Sequence, residues 1–135
     1  MTLLTWNPAC SVGVRALDDQ HGILMDALND LHLAMVRGSG RAEVSELLNR
    51  LVQLTNMHLV SEERLMEMYS FPGLDTHRAE HLRMLSDIRL SALRVQHGED
   101  VGMRTLLTHL RDLYTVHIEG HDSLYGPWLN DHGVN

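Results

Sequence analysis

The chain has 135 residues and a formal charge of −7, which is enough for one domain and too few for two of usual size. That acidic balance speaks against a free-standing nucleic-acid binder, and a lone cysteine, Cys10, excludes an intramolecular disulfide or a cysteine-based zinc site. Leu occurs 24 times against 3 Ile, a helix-bundle composition, and the 10 His far exceed the usual share of roughly 2–3%.

In chain order, the N-terminal stretch lacks the basic start and apolar core of a signal peptide. It reads as an arm over residues 1–16, with Trp6 placed to pack on the bundle. Helices are predicted over about 18–37, 41–70, 75–97 and 100–121, separated by Gly38 and Gly40, Pro72-Gly73, and Gly98 and Gly102, with Gly126-Pro127 as a last break. Asp18 or Asp19 is the expected cap of the first, Asp75 or Thr76 of the third, and Gly98 after His97 a stop signal. The apolar stripes run through Leu17, His21, Leu24, Leu28, Leu31 and Met35, then Val44, Leu47, Leu51, Leu54, His58, Glu62, Leu65 and Tyr69. They continue through Leu74, His77, His81, Leu85, Ile88, Ala92 and Val95, and finally Met103, Leu106, Leu110, Leu113, His117 and Leu124. Short linkers make neighbours antiparallel, so the expected fold is all-α, an up-down-up-down four-helix bundle with an N-terminal arm, one domain over residues 1–135. No stretch approaches the roughly 20 apolar residues of a membrane span, so a cytoplasmic protein is the default.

Several stripe positions carry ionisable residues, which cost several kcal/mol each when buried without a partner or a metal. A single pair such as His58/Glu62 or His77/His81 is only one helical neighbour contact. Taken together, however, His21, His58, Glu62, His77, His81, His117 and Asp122 fall at the same end of an antiparallel bundle. Five imidazoles and two carboxylates exceed what one tetrahedral zinc takes and suit a pair of octahedral first-row ions. With both carboxylates and an oxide or hydroxide bridging, one of about twelve coordination positions stays open for a small ligand. The step from His117 to Asp122 is i+5, off a regular helix face, whereas His121 stands at i+4. Spacing alone leaves open whether His121 serves, Asp122 reaches in, or a π-type bulge near Gly120 realigns it.

The motifs W-N-P, V-G-V and D-D-Q-H (18–21), H-L-V-S-E-E (58–63), H-R-A-E-H (77–81) and H-I-E-G-H-D-S-L-Y-G-P (117–127) resemble the hemerythrin family, single-domain bacteriohemerythrins in particular, over nearly the whole chain. The resemblance implies that His21, His58, Glu62, His77, His81, His117 and Asp122 hold two iron ions with a bridging oxo or hydroxo group, Glu62 and Asp122 being the bridges. The family spacing H-x-x-x-x-D selects Asp122 over His121. The implied function is reversible O2 binding for storage, delivery or buffering, and not catalysis. O2 or redox sensing, nitric-oxide sensing and di-iron peroxidase chemistry stand as alternatives. No Glu-x-x-His set of the oxidising di-iron kind is present, which favours a binder.

The chain departs from the family at two places. Leu59 replaces a Phe, and Leu113-Tyr114 stands where the family has W-L before x-x-H. Tyr114, Leu113 and Leu59 are therefore the expected O2-pocket residues, with the Tyr114 hydroxyl turned either into the pocket or outward at the helix seam. His32, His97, His109, His121 and His132 read as bystanders, Glu63 as solvated or as a neighbour of the ligands, and Cys10 as an inert packed thiol.

Overall fold

The computed structural model describes residues 4–100, 102–121 and 125–135. Four long helices make the bundle: α1 (Arg15–Val36), α2 (Arg41–Met68), α3 (Leu74–Gln96) and α4 (Met103–Thr115). A π-helical turn, Val116–His121, continues α4, and a short α5 (Gly126–Asp131) follows. Among the described residues there is no strand, and no helix is long and apolar enough to cross a membrane. The fifth helix occupies the place where Gly126-Pro127 predicts only a break. Pro127 sits in its first turn, where a missing N–H leaves no hydrogen bond unmade.

The helices form because each buries one stripe. Leu24, Leu28 and Leu31 of α1, Leu48 and Leu51 of α2, Ile88 of α3 and Leu110 of α4 are sealed in a common core. Each such side chain contributes about 1.5–3 kcal/mol by leaving water. Two stripes are offset from their predicted course. In α2 the buried residues are Val44, Leu48, Leu51, Thr55, His58, Leu59, Glu62 and Met66, with Leu47, Leu54, Leu65 and Tyr69 half-buried. In α4 Tyr114 is buried and Leu113 only half-buried. A purely apolar stripe passes over Thr55 and Tyr114, which satisfy each other across the seam.

The helix ends also differ from expectation. α1 starts at Arg15 with Val14 in the cap position, and neither Asp18 nor Asp19 caps it. The Asp18 carboxylate instead accepts the Val12 N–H at 2.8 Å and the Ser11 hydroxyl at 2.6 Å, tying the arm to the first turn. α3 starts at Leu74 behind Gly73, so Asp75 lies inside the first turn, where its negative charge complements the positive end of the helix dipole. His97 and Gly98 end α3 as expected. Gly98 takes φ +79°, with the N–H groups of Gly98 and Glu99 returning to Val95 and Arg94. Ser70 makes the same closure after α2 at φ 53°, without glycine's freedom.

The arm docks through Leu4 and Cys10, not through Trp6, which is 45% exposed. Leu4 exchanges two hydrogen bonds with the Asn29 side chain, N–H to Oδ1 at 3.0 Å and Nδ2 to the carbonyl at 2.8 Å. Cys10 is buried against Met25 and Ile118. A second apolar cluster of Val12, Val14, Leu17, Met66, Tyr125 and Leu129, flanked by Phe71 and Trp128, plugs the bundle end where α2 stops and α3 begins. The plug requires glycine at 126, where a Cβ would meet the Val12 carbonyl oxygen at 2.2 Å.

Two substitutions test this view of the chain ends. Ser70→Gly is expected to raise thermal stability by about 0.5–1 kcal/mol, because it removes left-handed strain. Gly126→Ala is expected to lower it by about 1–3 kcal/mol, because backbone must move. Melting temperatures of the two variants check both signs.

Candidate metal centre

One carboxylate, Glu62, organises the ionisable residues. It lies on the inward face of α2, one turn after His58, and is fully buried. Its Oε1 contacts His58 Nε2 and lies 3.5 Å from His21 Nε2 and 3.3 Å from His117 Nε2. Its Oε2 lies 3.2 Å from His81 Nε2. One atom from each of His21, His58, Glu62 and His117 falls within 4.8 Å of the others. His77 stands one turn before His81, with ring centroids 5.7 Å apart, and packs edge-on against Phe71 and Tyr125. These imidazoles come from the start of α1, the end of α2, the start of α3 and the turn after α4. Their meeting is a direct consequence of alternating helix direction.

The π turn holding His117 stands where the i+5 step from His117 calls for irregularity. A π turn closes i→i+5 hydrogen bonds and takes more residues per revolution than an α-helix, so an i+5 step stays closer to one face. Asp122 itself lies outside the described residues.

The outward nitrogens are as ordered as the inward ones. His58 Nδ1 donates to Gln20 Oε1 at 2.8 Å, and Gln20 is anchored to the Ser61 hydroxyl at 3.1 Å. His81 Nδ1 donates to Glu63 Oε2 at 2.8 Å, and His21 Nδ1 faces the Cys10 carbonyl at 3.3 Å. With protons held outside, the Nε2 lone pairs point inward, at one another and at a carboxylate. His58 and His117 Nε2 are 3.3 Å apart. Neither Glu62 oxygen nor His81 Nε2 has a hydrogen-bond partner among the described residues. A buried set of acceptors facing acceptors is the donor set of a cation site, and imidazole with carboxylate suits first-row ions. The residues fit the implied metal.

The electrostatics agree. Burial alone pushes the Glu62 carboxyl up, but His58, His117 and His21 outweigh it and hold it well below the usual carboxylate range. Burial would lower His81, yet Glu62 and then Glu63 raise it above its ordinary value.

Tyr114 points inward. It is 1% exposed, and its hydroxyl lies 2.5 Å from Thr55 Oγ1, one turn below His58 and His117, which overturns the outward alternative. Burial drives the phenol far above its ordinary pKa, although the Thr55 hydrogen bond opposes this. Leu59 is buried in the core. Leu113 borders an outer groove between α3 and α4 with Met84, Val116 and His117. Sequence reasoning misses Gln20 and Thr55. Gln20 is visible only as a letter of D-D-Q-H, and Thr55 only as the position one turn before His58.

Two expected outcomes test the site. Tyr114→Phe leaves the Thr55 hydroxyl buried without its partner and is expected to cost about 1–3 kcal/mol, much of it recovered by adding Thr55→Val. Denaturant unfolding of the single and double variants checks this. In the metal-free protein, the raised His81 stabilises the fold fully below its unfolded pKa of 6.5 and loses this as pH rises through the folded value. The lowered Glu62 does the converse, losing its contribution as pH falls through its depressed folded pKa. The metal-free melting temperature is therefore expected to decline as pH rises above 6.5 through the raised His81 pKa, and iron loading to abolish the decline. A flat metal-free profile contradicts the assignment.

Comparison with known proteins gives the family and agrees with the fold. Residues 12–129 match the family model described as the hemerythrin HHE cation binding domain. A bacteriohemerythrin of Stenotrophomonas maltophilia is 34% identical over 98% of this chain and 85% of its own length. One of Methylococcus capsulatus is 31% identical over 96% and 99%. The crystal structure of a wild-type hemerythrin superposes with a TM-score of 0.84 at 32% identity, covering 93% of this chain and 96% of that one. A leucine-to-tyrosine variant of a hemerythrin gives 0.85 at 33% identity, covering 94% and 97%. With the family model spanning most of its length and relatives matched nearly end to end, the chain belongs to the hemerythrin family.

Proposed function

We propose that the protein binds O2 reversibly at a non-haem di-iron centre held by His21, His58, Glu62, His77, His81, His117 and Asp122, for storage, delivery or buffering in the cytoplasm, and that it is not an enzyme. The observation that carries the reading is the ring of inward imidazole nitrogens around the two Glu62 oxygens, which accept no hydrogen bond among the described residues. Those oxygens face different imidazoles, as a bridging carboxylate requires.

When bound, the iron pair supplies the electrons and the open coordination position for O2. The chain supplies the rest. Gln20, Glu63 and the Cys10 carbonyl hold imidazole protons on the outside, so the Nε2 lone pairs stay available to a metal. The apolar plug around Tyr125 and Leu129 and the leucine core on the other side exclude water. Neutral imidazoles outnumber carboxylates, which limits the negative charge that would favour high iron oxidation states.

A second reading, redox chemistry or sensing of O2 or nitric oxide, is favoured by the phenol of Tyr114 buried one turn from His117. Tyr114→Leu is expected to change the autoxidation rate of the O2-loaded protein. An unchanged rate removes Tyr114 from the pocket. The metal assignment is tested by anaerobic titration of metal-free protein with ferrous iron. The expected endpoint is two irons per chain, reduced below two in Glu62→Ala. An endpoint of one or none in the parent protein overturns the di-iron reading.

A further inference from the structure

The hydrogen bonds behind the imidazoles are chemically unequal. His58 Nδ1 gives its proton to a neutral amide, Gln20, and His21 Nδ1 faces a neutral carbonyl, that of Cys10. His81 Nδ1 alone among these three gives its proton to a charged group, Glu63, at 2.8 Å. Glu63 follows Glu62 in α2, and the 100° step between neighbours turns one carboxylate into the bundle and the other toward α3. The second Glu63 oxygen accepts from Arg78 Nε at 3.2 Å, and the Arg78 guanidinium also reaches Glu67 at 3.2 Å. The Glu63 and Arg78 side chains are 27% and 43% exposed, against 2% for His81. The chain His81–Glu63–Arg78 thus runs from the buried carboxylate to solvent.

Resting on the di-iron reading above, we propose that Glu63 and Arg78 are positioning residues that set the donor strength of His81 toward the metal it would hold. A hydrogen bond to a carboxylate is roughly twice as strong as one to a neutral acceptor, and it raises the basicity of a metal-bound imidazole. A metal held by His81 would therefore receive more electron density from that imidazole and be harder to reduce than without Glu63. Arg78 draws charge from Glu63 and moderates the effect.

The test uses the full chain loaded with iron for potentiometry and with zinc for nitrogen-15 NMR. In the zinc protein, the Nδ1 proton of His81 is expected further downfield than that of His58, and Glu63→Gln removes the difference. In the iron protein, Glu63→Gln is expected to weaken metal binding by about 10–100-fold and to move the reduction potential positive. Arg78→Gln is expected to move the potential negative. Glu67→Gln removes the same charge as Glu63→Gln without touching His81, and is expected to move both readings far less, acting only through Arg78. The proposal is overturned if Glu67→Gln matches Glu63→Gln, or if the two Nδ1 protons are equally deshielded in the parent. The parent comparison needs no variant to fold. A chain that takes up neither metal sinks the di-iron reading itself, whereas two bound metals with equal Nδ1 signals sink only this inference.

Discussion

A fully buried carboxylate surrounded by imidazole nitrogens cannot stand without positive charge. Taking an ion such as the Glu62 carboxylate out of water costs several kcal/mol even after relaxation, and neither of its oxygens finds a hydrogen bond among the described residues. In the metal-free protein the facing imidazoles hold Glu62 low, and Glu62 in turn raises His81. A bound metal cation would supply the positive charge better, since imidazole nitrogens and carboxylate oxygens are donors of first-row ions. Proton and metal would then compete for the same place, linking folding, pH and metal loading at one residue.

The fold is arranged around that constraint. Antiparallel helices bring four chain segments to one level, and the π turn after α4 carries His117 to it. The plug of Val12, Val14, Leu17, Met66, Tyr125 and Leu129 closes the end of the bundle, and the leucine core lies on the other side. Outside the imidazoles a ring of acceptors fixes their protons, and that ring draws on the arm through Cys10, on α1 through Gln20 and on α2 through Glu63. The arm is thus part of the site's support, which explains why Leu4 is secured to Asn29 by two hydrogen bonds.

Much of this is legible in the sequence for a physical reason. Helical periodicity places His21, His58, Glu62, His81 and His117 on inward faces, and linker length places those faces at one end. Identity of the donors needs no knowledge of packing. What escapes is whatever depends on pairing across a seam. Thr55 and Tyr114 each look wrong for a core, so a stripe drawn from apolar residues steps to Leu54 and Leu113 instead. Only their 2.5 Å contact makes both acceptable there. Gln20 and Glu63 sit beside ligands in sequence, but their roles depend on where α1, α2 and α3 meet. The start of α1 slips from its predicted place because the Asp18 carboxylate serves the arm's Val12 and Ser11 and not a cap.

The central claim is reversible O2 binding at the iron pair, and the optical spectrum tests it most directly. The iron-loaded protein is reduced without air, exposed to O2, and then placed under vacuum. The account predicts visible and near-ultraviolet bands that appear with O2 and vanish on its removal, over repeated cycles. Bands that convert once and irreversibly to the oxidised form contradict it, and point to redox chemistry with Tyr114 as the first residue to change.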